Sequence, residues 1–373
     1  MAKPEINTLR RVWFNFPLRT GFTTLDLLLL IVPVTFVLHY WSGASPLLLF
    51  ASSALAIVPL AAALGRATEE LSTCMGPSLG GLLNATLGNA TELIIGFFML
   101  KARQLEVVKA SLSGSIIGNS LLVFGMSVFF GGLRHGRQTF SRKNAELNST
   151  MLFVAVAALV TPAIFSLSAF GRLRVHEHRI LLLSRCTSVG LIVIYLLGLL
   201  VTLRRRRAPL KQSRRPCELI RGATSALTAL GVTTVILSFV TDSLVATIDA
   251  AKQRFGLSDL FMGVVVIATI GNVAEHTSAI MMAQHNKMDA TFAITIGSGA
   301  QIALLVAPVL VLVSWAFRDP MSLLFSPLEI SGVGIAVLAV ILVGWDGETT
   351  WFDGVQLLAI YLIFALAVYL IPA

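Results

Sequence analysis

Charge is scarce in this sequence. Asp, Glu, Lys and Arg make up 13% of its 373 residues, where a soluble domain carries about 25%. Cysteine is rarer still: Cys74, Cys186 and Cys217 lie far apart and form no C-x-x-C pair. That argues against a disulfide framework, a zinc site or an iron–sulfur centre. The apolar stretches contain no H-E-x-x-H, G-x-S-x-G or paired-aspartate pattern, so nothing points to an intramembrane enzyme and no catalytic residue is assigned. The apolar–polar alternation of an outer-membrane barrel is missing too, which leaves a helical bundle as the way to span a bilayer.

What is present is hydrocarbon. The chain is 56% apolar with a mean hydropathy of +0.84. Apolar stretches of about 20 residues recur with polar punctuation, the length that crosses a membrane as a helix. Eleven spans are expected: Asp26–Tyr40, Leu47–Leu64, Leu82–Leu100, Ser111–Phe130, Met151–Phe165, Ile180–Leu203, Ala226–Ile248, Leu260–Met282, Ala290–Phe317, Leu323–Val343 and Trp351–Leu370. The fold class is therefore an all-α membrane protein. Asn7–Phe22 is short, mixed and basic, and no small-residue cleavage pattern follows the first apolar run, so that run reads as a span rather than a secretory signal.

Orientation follows from Lys and Arg. With a cytoplasmic N-terminus the inner segments hold 17 of them and the outer segments 9. The bias predicts N-in and C-out. The net charge of +9 is then the ordinary consequence of topology and calls for no nucleic-acid partner.

One short pattern is written twice. Gly88-Asn89-Ala90-Thr91-Glu92 lies in the third span and Gly271-Asn272-Val273-Ala274-Glu275 in the eighth, 183 positions later. At the same offset Gly114-Ser115 recurs as Gly297-Ser298, and Glu106 as Asp289. The matched spans are five apart in order, an odd number, so the two copies cross in opposite directions. That is the signature of an inverted-topology repeat with its site near the midplane. The expected organisation is residues 1–44 as the N-terminus and first span, 45–203 as the first five-helix repeat, 204–221 as a basic linker and 222–373 as the second repeat.

A carboxylate in the middle of a span costs roughly 2.5–3.5 kcal/mol on insertion scales. Small-residue helix packing accounts for the glycines here but not for Glu92 and Glu275. Asn89 and Glu92 are three apart and share a face, as do Asn272 and Glu275. Glycine beside each motif favours a local helix break that exposes backbone groups to a cavity. The oxygen inventory suits a hard cation: Glu92, Glu275, Asn89 and Asn272, with Ser115, Asn119, Ser298 and Gln301 on the following spans. No thiolate or clustered imidazole favours a soft metal. His276 adjoins the second motif and either hydrogen-bonds a neighbouring helix or tunes and relays protons to Glu275.

These residues resemble the calcium/proton exchangers of the calcium/cation antiporter superfamily, especially the short prokaryotic members. The resemblance runs from about Ser45 to Pro372. It is carried by Leu82-Leu83-Asn84-Ala85-Thr86 leading into the first motif, by the second motif with His276, and by Gly114-Ser115-Ile116-Ile117-Gly118-Asn119 and Gly297-Ser298-Gly299-Ala300-Gln301. The resemblance implies antiport of Ca²⁺ against H⁺, with Glu92 and Glu275 binding the cation and carrying the exchanged protons. It also implies acidic residues at the ion entrance, matched by Glu69 and Glu70 and, more weakly at the opposite face, by Asp249. No cofactor is implied, since Ca²⁺ is the cargo. The partners are Ca²⁺, H⁺ and the bilayer, and a homo-oligomer is compatible with the sequence.

Many relatives carry an acidic helix where this chain has Arg204–Arg207, and plant vacuolar members carry a long N-terminal extension. Their absence favours a prokaryotic inner membrane. Sodium/calcium exchange and Mn²⁺ exchange are the alternatives within the superfamily. Sodium exchangers usually place a further carboxylate where this chain has Gly118-Asn119 and Gln301-Ile302.

Overall fold

A computed structural model describes residues 27–41, 43–171, 173, 178–205 and 216–372. After a short 3-10 turn the helices run in chain order. They are α1 (Ile31–Tyr40), α2 (Pro46–Leu87), α3 (Ala90–Lys101), α4 (Leu105–His135), α5 (Arg142–Phe170), α6 (His178–Arg205) and α7 (Pro216–Ala246). Next come α8 (Ile248–Phe255), α9 (Asp259–Gln284), α10 (Met288–Ser314), α11 (Pro327–Val343) and α12 (Trp351–Tyr369). Single π-helical stretches interrupt α4 at Gly118–Val123, α9 at Met262–Ile267 and α10 at Ile302–Val306. The first and last lie close to matching positions of the two sequence repeats. π-Bulges are frequent at functional sites.

Local chemistry sets several helix ends. Ser326 and Glu329 form a capping box at the start of α11, and Thr350 and Asp353 form one at α12. α5 starts at Ser141, whose hydroxyl accepts from Asn144 N, and stops at Gly171 with φ of +66°, a left-handed stop that glycine adopts freely.

Among the described residues eight helices are long and apolar enough to cross a membrane. The sequence spacing predicts eleven spans, and the difference has a physical origin. α1 and α11 are apolar but only 10 and 17 residues long. The third span is divided, since α3 contributes only 12 residues. Where a connector is expected around Glu69 and Glu70, α2 instead runs on as helix. It is not straight. A Cβ on Gly80 would fall 1.9 Å from the Ser72 carbonyl oxygen, so the chain turns sharply between them, an interval that contains Pro77. The basic linker lies largely outside the described residues, as do residues 1–26 of the N-terminal segment.

The connectors sort to two ends. A two-residue antiparallel pairing joins β1 (Gln138–Thr139) to β2 (Glu348–Thr349). Gln138 Nε2 donates to the Ala283 carbonyl (2.8 Å) and to Asn286 Oδ1 (3.0 Å). The α4–α5, α9–α10 and α11–α12 connectors therefore meet at one end. At the other, Lys101 pairs with Asp242 (3.4 Å), Arg103 with Asp319 (3.6 Å), and Gln104 donates to Asp249 (2.9 Å). At the centre stand α4 and α10, with 67% and 72% of their most apolar stretches buried, against 28% for α6, α7 and α12. The helices whose side chains carry the hydroxyls and amides are thus the ones buried inside the bundle.

Candidate ion-binding site

The first motif sits on a helix break and the second does not. Gly88 and Asn89 form a turn between α2 and α3, so Glu92 falls in the first turn of α3. A helix N-terminus favours negative charge there. Through Gly271-Asn272, by contrast, α9 is continuous; its irregularity comes earlier, in the π-helical stretch. Glycine in a span therefore permits a break without forcing one.

The cross-contacts follow the sequence repeat. Ser298 Oγ donates to Asn89 Oδ1 (3.2 Å), and Asn272 Nδ2 donates to Ser115 Oγ (3.0 Å). Each motif asparagine therefore bonds the serine of the other half, and the two pairs are related by the same 183-residue offset. Asn89 Nδ2 also donates to Gln301 Oε1 (2.6 Å), and Asn119 Nδ2 to Ser298 Oγ (3.3 Å). Asn89, Asn119 and Asn272 are each 1% exposed. Glu92 and Glu275 lie close enough for their charges to interact, and the Ser298 side chain lies against Glu275. Eight of the residues singled out by sequence thus gather between α3, α4, α9 and α10.

The decisive detail is what these groups leave over. Among the described residues, Glu92 Oε2, Glu275 Oε2 and Asn272 Oδ1 are buried oxygens with no hydrogen-bond partner. All three are acceptors. A buried acceptor without a donor costs about 1–3 kcal/mol. A bound hard cation, or a proton on each carboxylate, removes that penalty. No group of three His, Cys, Asp or Glu side chains that would suit a metal occurs among the described residues. The oxygens gathered here come from two carboxylates and neutral side chains, a mixture of the kind that a large, flexibly coordinated ion such as Ca²⁺ takes.

Of the remaining candidates, His276 borders this centre and the acidic residues lie apart from it. His276 is buried (9% exposed) and lines a narrow cavity with Ser115, Gly118, Thr269 and Tyr361. Glu69 and Glu70 sit on α2, exposed and half-buried. Asp249 ties α8 to the α3–α4 connector through Gln104 and pairs with Lys252 (2.7 Å), which also bonds Asp259. The Lys252 ammonium beside Asp249 holds its carboxyl below the usual carboxylate range.

Sequence reasoning missed a second buried charged group. Lys109, counted there as a connector charge, is 3% exposed inside α4, and Glu329 at the start of α11 is equally buried. Two signals were legible: Lys109 is flanked by Val107, Val108 and Ala110, and Ser326-Pro327-Leu328-Glu329 is a helix-start pattern.

A helical membrane bundle with a helix break beside a buried cluster of oxygens is an architecture of membrane cation transporters. The chain belongs to the sodium/calcium exchanger protein family, whose sequence profile matches residues 45–204 and 225–370. It is an integral membrane protein of the calcium/proton exchanger type. It is 40% identical over 368 residues to a Ca²⁺/H⁺ antiporter of Synechocystis sp., covering 92% of this chain and 96% of that one. With the Ca²⁺/H⁺ antiporter ChaA of Bacillus subtilis it shares 41% identity, over 91% and 97% of the two chains. The solved structure of native YfkE superposes with a TM-score of 0.79 at 39% identity, covering 93% of this chain and all of that one. The H⁺/Ca²⁺ exchanger CAX, at 13% identity and a TM-score of 0.70 over 92% and 91%, shows the shared fold.

Proposed function

We propose that this protein is a secondary antiporter that exchanges Ca²⁺ for H⁺ by alternating access, with Glu92 and Glu275 binding either the cation or protons in competition. The three partnerless buried oxygens on Glu92, Glu275 and Asn272 carry the reading, because they are acceptors gathered at one centre that a cation would satisfy together. Relatives named as Ca²⁺/H⁺ antiporters support the pair of ions.

Charge explains the coupling. With both glutamates ionised and one Ca²⁺ bound the site is formally neutral; with the ion gone and both carboxyls protonated it is neutral again. An empty doubly anionic site faces a large desolvation penalty and an uncompensated repulsion. The two neutral states are the ones that rearrange between faces, so ion and proton are coupled without a separate relay. Asn89, Asn272, Ser115, Asn119, Ser298 and Gln301 complete the coordination with neutral oxygens.

The same reading takes the architecture as eleven spans, a first helix followed by two inverted five-helix repeats, in a prokaryotic inner membrane with the N-terminus in the cytoplasm. The end carrying β1, β2 and the α9–α10 connector then faces the cytoplasm, and the end carrying Asp249 faces outward. Uptake of radiolabelled Ca²⁺ into inverted vesicles tests the function. A pH gradient should drive uptake and a Na⁺ gradient at clamped pH should not; the reverse result assigns the protein to sodium/calcium exchange.

A further inference from the structure

Lys109 and Glu329 form a buried charged cluster that the ion site does not use. Lys109 Nζ bonds Glu106 Oε1 (2.7 Å) and donates to the Leu324 carbonyl (3.2 Å), and its charge also acts on Glu329. Glu329 is fully engaged: Oε1 accepts from Ser113 Oγ (2.9 Å) and Oε2 from Ser326 N (2.8 Å). The cluster thus binds α4 to the α10–α11 connector and to the first turn of α11. Both oxygens of the Glu329 carboxyl therefore have a hydrogen-bond donor, and the Lys109 charge acts on it as well.

Its position on α4 gives it leverage. Ser113, held by Glu329, is two residues from Ser115, which accepts from Asn272. Between them, Gly114 touches α9 backbone to backbone: a Cβ there would fall 2.4 Å from both Val264 Cα and the Val264 carbonyl oxygen. One turn back, a Cβ on Gly263 of α9 would fall 2.3 Å from Ala110 Cβ. Helices in such contact have no slack, so a displacement of α4 passes directly to the helix that bears Asn272 and Glu275. The second half lacks this tether: 183 positions on from Lys109 and Ser113 stand Phe292 and Ile296, and Phe292 packs on Phe124 and Phe140 instead. Lys109 and Glu329 form no direct ion pair, but each is a buried charge felt by the other; removing one leaves the other less compensated, whereas replacing both by apolar groups is often tolerated.

We propose that Lys109 and Glu329 are positioning residues that hold α4 in the register where Ser115 meets Asn272, and so set the Ca²⁺ affinity of the site. The inference rests on the ion-site reading above. The test is Ca²⁺ uptake in vesicles for K109M, K109R, E329Q and the paired K109M/E329L, with membrane level measured in each and E275Q run alongside. K109M and E329Q should raise the KM for Ca²⁺ about ten- to a hundredfold, the scale of outer-shell changes at metal sites, with the maximal rate nearly unchanged. K109R should stay near wild type. The paired variant should reach the membrane at normal level and keep the raised KM. If K109M/E329L shows a wild-type KM, the cluster serves folding alone and the proposal is overturned. Active E275Q would instead overturn the ion-site reading, independently of the Lys109 result.

Discussion

Gly114→Ala is the sharpest steric probe of the centre. The added methyl would sit 2.4 Å from Val264 Cα and its carbonyl oxygen, both main-chain atoms that no rotamer change can move aside. Carbon atoms rest about 3.5–4.0 Å apart, so α4 and α9 must part by about 1 Å locally. The Asn272–Ser115 hydrogen bond, now 3.0 Å, then opens to about 4 Å, beyond hydrogen-bonding range. Overpacking costs about 1–3 kcal/mol and the lost bond about 1 kcal/mol more. Gly118, one turn further along, is the control: its Cβ meets nothing within 4 Å. Relieving a glycine inside a helix contributes about 0.5–1 kcal/mol of stability, so Gly118→Ala should be neutral or slightly stabilising. Detergent thermal unfolding and Ca²⁺ uptake on both variants provide the assay. G114A should melt lower and transport with weakened Ca²⁺ affinity while G118A matches wild type. If the two behave alike, the close α4–α9 approach does not shape the site.

Three further outcomes follow from the same geometry. Gln301→Asp draws the acceptor of the 2.6 Å Asn89 bond back by one methylene and adds a third negative charge; Ca²⁺ release should slow, or a monovalent ion should enter as well, read by uptake and efflux with competing cations. Wild-type behaviour there, and in Asn272→Ala, would exclude the amides from the ligand set. At the end opposite the β1–β2 pairing, Asp249 has a folded-state pKa below its unfolded one, so its stabilising contribution is present above the unfolded pKa and is lost as pH falls through the folded value. Protection of Ile248–Phe255 against hydrogen exchange, corrected for the intrinsic rate at each pH, should therefore fall in acid in wild type, and D249N should show low protection already at neutral pH.

Much of the site was legible because a repeat written in sequence is a geometric statement. The 183-residue offset put Asn89 with Asn272 and Ser115 with Ser298 in matching places, and the structure joins them crosswise, Asn89 to Ser298 and Asn272 to Ser115. The Asn89–Gln301 contact has no such counterpart, because Gly118 stands 183 positions before Gln301. Less was legible where backbone conformation decides. Nothing in Gly88-Asn89 against Gly271-Asn272 distinguishes a helix break from an unbroken helix, because tertiary packing selects between two allowed conformations. The π-helical stretches likewise leave no composition signal. Lys109, one of the nine outer-segment charges, was misplaced because a charge within an apolar flank reads as the edge of a span until its contact with the Leu324 carbonyl, 215 positions away, is known.

The central claim is that Ca²⁺ and protons compete for the same two carboxylates. It is tested most directly by the protons released when purified protein in weak buffer binds Ca²⁺, followed across pH for wild type, E92Q and E275Q. The account predicts that Ca²⁺ displaces protons from wild type at the pH where the site is protonated. It also predicts that Ca²⁺ binding weakens as pH falls, and that each glutamine variant loses both Ca²⁺ binding and proton release. Ca²⁺ binding that is independent of pH, or that persists with wild-type proton release in either variant, would contradict it.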